Sequence, residues 1–176
     1  MGYVNNNNQH LDQNQIILGI DQSFSNTGFA VYDCNELIYC SCIATKNDKT
    51  LEERIFLIIS EMNSIIKKFE IRQVCIEGLS FNSRQASIRQ LAGLFYVILN
   101  ELHAKDIIYD IIPPLTLKKA ATGNGRADKS EMINAIPVMT QLFISETTNI
   151  KIGSKKFEDL ADAYWLSRYT ELLSLQ

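Results

Sequence analysis

Four acidic residues, far apart along the chain, are of the type and in the settings that perform metal-assisted chemistry. Asp21 closes the apolar run Ile16-Ile17-Leu18-Gly19-Ile20, and Glu77 closes the run Val74-Cys75-Ile76. Asp159 and Asp162 stand three residues apart, a spacing that sets both on one side of a helix. Each acid also has a purely structural explanation. A strand-end Asp can hold its own turn, and an acid in the first turn of a helix is favoured by the helix dipole. Gathered at one end of a sheet, however, carboxylates repel and raise one another's pKa values unless cations neutralise them. An all-oxygen set suits Mg²⁺ or Mn²⁺, and two such ions about 4 Å apart can clamp the attacking and leaving oxygens of a phosphodiester. That chemistry needs no histidine. His10 falls in a polar leader, and His103 falls near the end of a long helix, where a surface position is expected.

A second set of residues carries the opposite charge. Residues 115–129 hold Lys118, Lys119, Arg126 and Lys129 against a single acid, Asp128. Between them the loop TGNGRA, residues 122–127, allows backbone N–H groups to approach a phosphate. A solvated helix end is the competing explanation. Lys151, Lys155 and Lys156 would extend the patch. The net charge of the whole chain is −3, so there is no bulk basic field. Contact with nucleic acid must come from these local clusters.

The elements that must position these groups follow from periodicity. The chain has 176 residues, 46% hydrophobic and 21% charged, which suits one globular domain over residues 16–176. Residues 1–15, with Asn5 to Asn8 in a row, read as a disordered polar leader. Residues 16–21, 27–33 and 36–44 read as three strands in a meander, with a Gly/Ser/Asn-rich turn after Asp21 and a second turn at Cys34-Asn35. Residues 50–70 show apolar positions at helical spacing behind Thr50 and Glu53, a capping-box pair. A short strand ends at Glu77. Residues 82–104 form a long helix with more apolar surface than one sheet face requires, so it packs either wholly on its own sheet or partly on a second subunit. Residues 107–112 form a fifth strand, stopped by Pro113-Pro114. A short helix over 115–121, a helix over 129–143 that Pro137 kinks or divides, and a final helix over 157–173 complete the order.

Four cysteines, Cys34, Cys40, Cys42 and Cys75, fall in apolar strand-like runs and read as buried thiols rather than zinc ligands or disulfides. No apolar run is long enough to span a bilayer, and the leader lacks the pattern of a secretory signal, so a cytoplasmic location without membrane contact is expected.

A three-stranded meander followed by parallel βα crossovers is the ribonuclease H-like arrangement: α/β, with a mixed five-stranded sheet flanked by helices. At this point the chain resembles the RuvC family of Holliday-junction resolvases. The resemblance covers nearly all of residues 16–170. Leu18-Gly19-Ile20-Asp21 with Thr27-Gly28, Ile76-Glu77, Gly123 to Lys129 (GNGRADK) and Asp159-Leu160-Ala161-Asp162-Ala163 carry it. It implies that Asp21, Glu77, Asp159 and Asp162 are the metal-binding catalytic acids. It further implies that Lys118 and Lys129 lie near the scissile phosphate, Lys129 as part of the catalytic set. Lys119 and Arg126 join them as expected DNA contacts, and Phe81 is a candidate to stack on an unpaired base.

The activity implied is that of a homodimeric, Mg²⁺-dependent endonuclease that makes paired symmetric nicks in four-way junctions. Asp21 is followed by Gln22-Ser23 where the housekeeping enzymes usually carry Pro-Gly, and Glu77 by Gly78-Leu79-Ser80-Phe81, which shifts the aromatic by one position. These departures look more like a bacteriophage-type member. A nuclease of the same fold acting on forks and flaps is the nearest alternative, and a non-catalytic junction-binding protein is a further one. Gly19-Ile20-Asp21 followed by Thr27-Gly28 is also similar to the phosphate hairpin of sugar-kinase-like ATPases, but those proteins close a second domain over nucleotide. No nucleotide is therefore expected.

Overall fold

The computed structural model describes residues 16–79 and 85–174. Five strands form one mixed sheet: β1 (Ile17–Asp21), β2 (Asn26–Asp33), β3 (Glu36–Ala44), β4 (Gln73–Glu77) and β5 (Ile108–Ile112). Their order in space is β3-β2-β1-β4-β5. β1 pairs antiparallel with β2, and β2 with β3, whereas β1–β4 and β4–β5 are parallel. The expected ribonuclease H-like sheet is the one that forms. All five residues of the central strand β1 are buried, which is why its sequence reads as a continuous apolar run instead of an alternation.

Helices α1 (Leu51–Phe69) and α2 (Gln85–Ala104) cover one face of the sheet. Ile58, Met62 and Ile65 of α1 and Leu94, Ile98 and Leu102 of α2 meet Leu18, Ile20, Phe29 and Ile76 there. The start of α1 is fixed as its sequence requires. Thr50 caps the helix, and its side chain and that of Glu53 satisfy each other's backbone N–H groups.

The other face carries α3 (Pro114–Thr122), α4 (Lys129–Asn134), α5 (Val138–Thr148), α6 (Lys155–Ser167) and α7 (Tyr169–Ser174). Pro137 divides α4 from α5, as its ring demands. Among these helices α6 is the inner one: Phe157 and every residue from Leu160 to Ser167 are buried.

Two glycines explain how α6 reaches the sheet so closely. A Cβ on Gly19 would stand 2.1 Å from the Ala163 carbonyl oxygen and 2.4 Å from the Ser167 nitrogen, and one on Gly28 would stand 2.5 Å from the Asp159 carbonyl oxygen. Ala30 and Cys75 are the cross-strand neighbours of Gly19 on the same sheet. The α6 backbone therefore rests on a strip from which side chains have been removed or kept small.

Three expectations are revised. The final helix is not continuous: Ser167 Oγ donates to the Tyr164 carbonyl at 2.7 Å, a local bond that competes with the helical ladder. The chain breaks at Arg168 (φ −95°, ψ −3°) before α7 begins. Cys34 is exposed, unlike the buried Cys40 and Cys75, because it forms the β2–β3 turn with Asn35 at positive φ (42° and 79°) and faces water. Cys42 is only half-buried, and none of the four is in a disulfide. The expectations for residues 1–15 and for Phe81 lie outside the described residues. Among the described residues no helix is long and apolar enough to cross a membrane.

The strip makes a direct prediction. Gly19→Ala should destabilise the fold by about 3 kcal/mol, at the upper end of overpacking costs, because the obstructing atoms are backbone and cannot rotate away. Urea denaturation of the two proteins side by side measures this, and a loss below about 1 kcal/mol would mean that α6 can lift off its strip.

Candidate active site

β1 and β4 are parallel neighbours in register at Ile20–Ile76, so the residues that follow, Asp21 and Glu77, end side by side at one edge of the sheet. Their carboxyls lie within hydrogen-bonding reach of each other. Across the antiparallel pairing Asp21 faces Gly28, and the backbone of Asp159 sits on that glycine. The same helix brings Asp162 one turn further along. Asp21 is thus under the field of Glu77, Asp159 and Asp162 together. The four acids expected to converge do so.

Their protonation records the crowding. Asp21 is held well above the ordinary carboxylate range, first by burial and then by the negative charge of Asp162 and Glu77. Glu77 is pushed up to about 7 by burial and by Asp162, with Lys129 pulling the other way. Asp159 rises to about 6, again chiefly through burial, against the attraction of Lys129.

Cations stand against this edge. The Lys129 ammonium makes an ion pair with Asp162 and also acts on Asp21 and Glu77. Burial disfavours its charge, but the attraction and hydrogen bond of Asp162 outweigh this and hold it above the usual lysine range. Lys129 is the first residue of α4, a helix fixed by the Asp128–Glu131 capping box. On the far side the Trp165 indole N–H of α6 donates to the Met132 carbonyl at 3.0 Å, tying α4 to the helix that carries Asp162. Lys118, on α3, donates to the Ala127 carbonyl at 2.6 Å and so ties down the glycine-bearing loop, while its charge still reaches Glu77. Lys119 and Arg126 are exposed on α3 and on that loop. Lys155 lies close enough to lower Asp159, and Lys156 close enough to act on Cys42 of β3. His103 is exposed, as expected.

Gln22 was not singled out as a site residue by the sequence. It is buried directly after Asp21, and its Nε2 donates to the Glu77 carbonyl at 2.9 Å, linking the ends of β1 and β4. Its one sequence signal is an amide where an exposed turn would be expected.

As a donor set these residues fit a hard divalent cation. Every candidate ligand is an oxygen, and Asp21, Glu77 and Asp159 are raised first by burial and then by neighbouring carboxylates, both of which a bound cation would offset. Among the described residues no three acidic, histidine or cysteine side chains already close on a single point. The nearest positive charge in place is the Lys129 ammonium.

The raised carboxyls fix the sign of a pH effect. A folded-state pKa above the unfolded value means that the native state holds more protons, so stability is greatest below the unfolded pKa and declines as pH rises through the folded value. With a chelator present, stability should therefore fall by about 2 kcal/mol between pH 4.5 and pH 8, with Asp21→Asn flattening the decline. Chemical denaturation across that range tests this, and a rise in stability would refute the crowding.

The sequence profile described as "Crossover junction endodeoxyribonuclease RuvC" matches residues 17–163. The RuvC crossover junction endodeoxyribonuclease of Prochlorococcus marinus strain NATL1A is 33% identical over 153 residues, covering 84% of this chain and 92% of the relative. That of Finegoldia magna is 32% identical over 120 residues, covering 66% and 73%. Among solved structures, Thermus thermophilus RuvC in complex with a Holliday junction substrate matches with a TM-score of 0.71 at 18% identity, covering 91% of this chain and 94% of that one. The yeast mitochondrial Holliday junction resolvase Ydc2 matches with 0.61 at 15%, covering 92% and 81%. At these identities the structures show a shared fold, and the sequence matches show the family: the chain belongs to the RuvC family of crossover junction endodeoxyribonucleases.

Proposed function

We propose that residues 16–176 form a Mg²⁺-dependent, homodimeric endonuclease that resolves four-way DNA junctions by paired symmetric nicks. The convergence of Asp21, Glu77, Asp159 and Asp162 at the ends of β1 and β4, with Lys129 beside them, carries this reading. The four acids would hold the metal. Held by these carboxylates, two Mg²⁺ ions, or Mn²⁺ in their place, would supply an activated water and a counter-charge for the departing 3′ oxygen. The chain's own part is to fix the ligands on rigid elements. Asp21 and Glu77 are set by strand register, Asp159 and Asp162 by a helix whose backbone rests on the glycine strip. Lys129 and Lys118 stand on the α3–α4 side of that edge, where a scissile phosphate would meet positive charge. Lys119 and Arg126 are exposed for the flanking backbone. Phe81, four residues after Glu77 in the sequence, is the candidate to stack on an unpaired base. Such work on DNA belongs in the cytoplasm, of a host cell if the gene is carried by a phage.

Dimerisation is supported by α2. Tyr96 is 66% exposed and Val97 is exposed beside it, on the solvent side of a helix whose opposite side is buried in the core. Paired nicks need two sites, and this face offers an isologous contact. Sedimentation at micromolar concentration without DNA should give twice the chain mass, and Tyr96→Arg should give the monomer. A wild-type monomer would remove α2 from the interface.

The decisive experiment is cleavage of a synthetic four-way junction in Mg²⁺, beside a fork, a flap and linear duplex. Symmetric nicks confined to the junction are expected, with Asp21→Asn slowed by at least about 10³-fold. Equal cutting of fork and flap would move the reading to a general debranching nuclease with the same site, and binding without cleavage would make the chain a junction-binding protein. Lys119→Ala and Arg126→Ala should each lower the salt dependence of junction binding by about one unit of slope.

A further inference from the structure

Of the three ion pairs among the described residues, two are local: Lys105–Glu101 on α2 at i,i+4, and Arg168–Glu171 at i,i+3. The third, Lys129–Asp162, joins residues 33 apart in sequence and sits among four carboxylates. Its partners are unequal. The Asp162 side chain is 7% exposed and held by a buried helix, whereas that of Lys129 is 45% exposed on a flexible four-carbon stem. Lys118 is already tied to the Ala127 carbonyl, so Lys129 alone of the two pairs with an acid.

We propose that Lys129 is a displaceable internal counter-ion, which competes with the divalent cation for Asp162 and turns to the DNA phosphate when the cation loads. This inference rests on the carboxylate reading of the site. The ammonium sits on the Asp162 carboxylate, the same group a metal ion would draw on. The two positive charges repel across this one carboxylate, so each weakens the other's hold on it. The stem that places the ammonium on Asp162 is exposed enough to carry it outwards. Metal and DNA then help each other: a phosphate that draws Lys129 away vacates the carboxylate, and a metal that occupies the carboxylate frees Lys129 for the phosphate. By linkage the two effects are equal in size.

The test uses the full chain and Mn²⁺ alone, with no DNA, so that binding is read by titration calorimetry independently of cleavage. Lys129→Gln should bind Mn²⁺ at least tenfold more tightly than the wild type, whereas Lys129→Arg, which keeps the charge, should stay within threefold of it. Lys118→Gln removes a charge of the same sign near Glu77 without touching Asp162, and should also stay within threefold. Thermal melts with a chelator establish that each variant is folded; if Lys129→Gln is not, Lys129→Met takes its place in the same comparison. Unchanged or weaker Mn²⁺ binding by the charge-removing Lys129 variant, or equal tightening by Lys118→Gln, would overturn the proposal while leaving the metal site intact. Binding by neither wild type nor Lys129→Gln would overturn both. Binding by Lys129→Gln alone would support the proposal in its strongest form.

Discussion

The structure depends on backbone-to-sheet contact between α6 and the central strands. Helices normally stand off a sheet by the length of their side chains. Here Gly19 and Gly28 remove that spacing, so the carbonyls of Ala163 and Asp159 lie where Cβ atoms would otherwise be. Everything at the site inherits this closeness. It sets Asp159 over the strand neighbour of Asp21 and brings the buried Asp162 and Asp21 within each other's field. The arrangement is rigid because it is packed against backbone, which has no rotamers to relax into.

Such packing creates an electrostatic problem alongside the geometric solution. Asp21, Glu77 and Asp159 are all raised, and the common first cause is burial. A site of this kind holds a standing demand for positive charge. Lys129 meets part of it from α4, and α4 is held in place by the Trp165 bond from α6 itself. One helix thus delivers two of the acids and anchors the base that opposes them.

Much of this was legible beforehand, for identifiable reasons. Strand-end acids after apolar runs, an i,i+3 acidic pair and a basic glycine-bearing loop are local patterns, and each formed where its residues indicated. The meander, the capped α1 and the division at Pro137 followed from turn and helix chemistry of the same local kind. What escaped was contact across the fold. Gly19 marks a close backbone approach inside a strand, but nothing in the sequence names Ala163 as what approaches. Gln22 read as part of a turn because its partner, the Glu77 carbonyl, is 55 residues away. The break at Arg168 was hidden inside a good helical pattern, since a Ser side chain turning onto Tyr164 leaves no periodic trace.

The order of elements along the chain has a consequence for the moment at which the enzyme comes into being. β1 and β4 are made early, whereas α6 follows all five strands. During synthesis, a nascent chain that has already displayed Asp21 and Glu77 still lacks Asp159 and Asp162, and the glycine strip that receives α6 lies open. The acids therefore cannot assemble until residues 155–167 have cleared the ribosome and docked. The four acids come together in the same folding step that closes this face of the core.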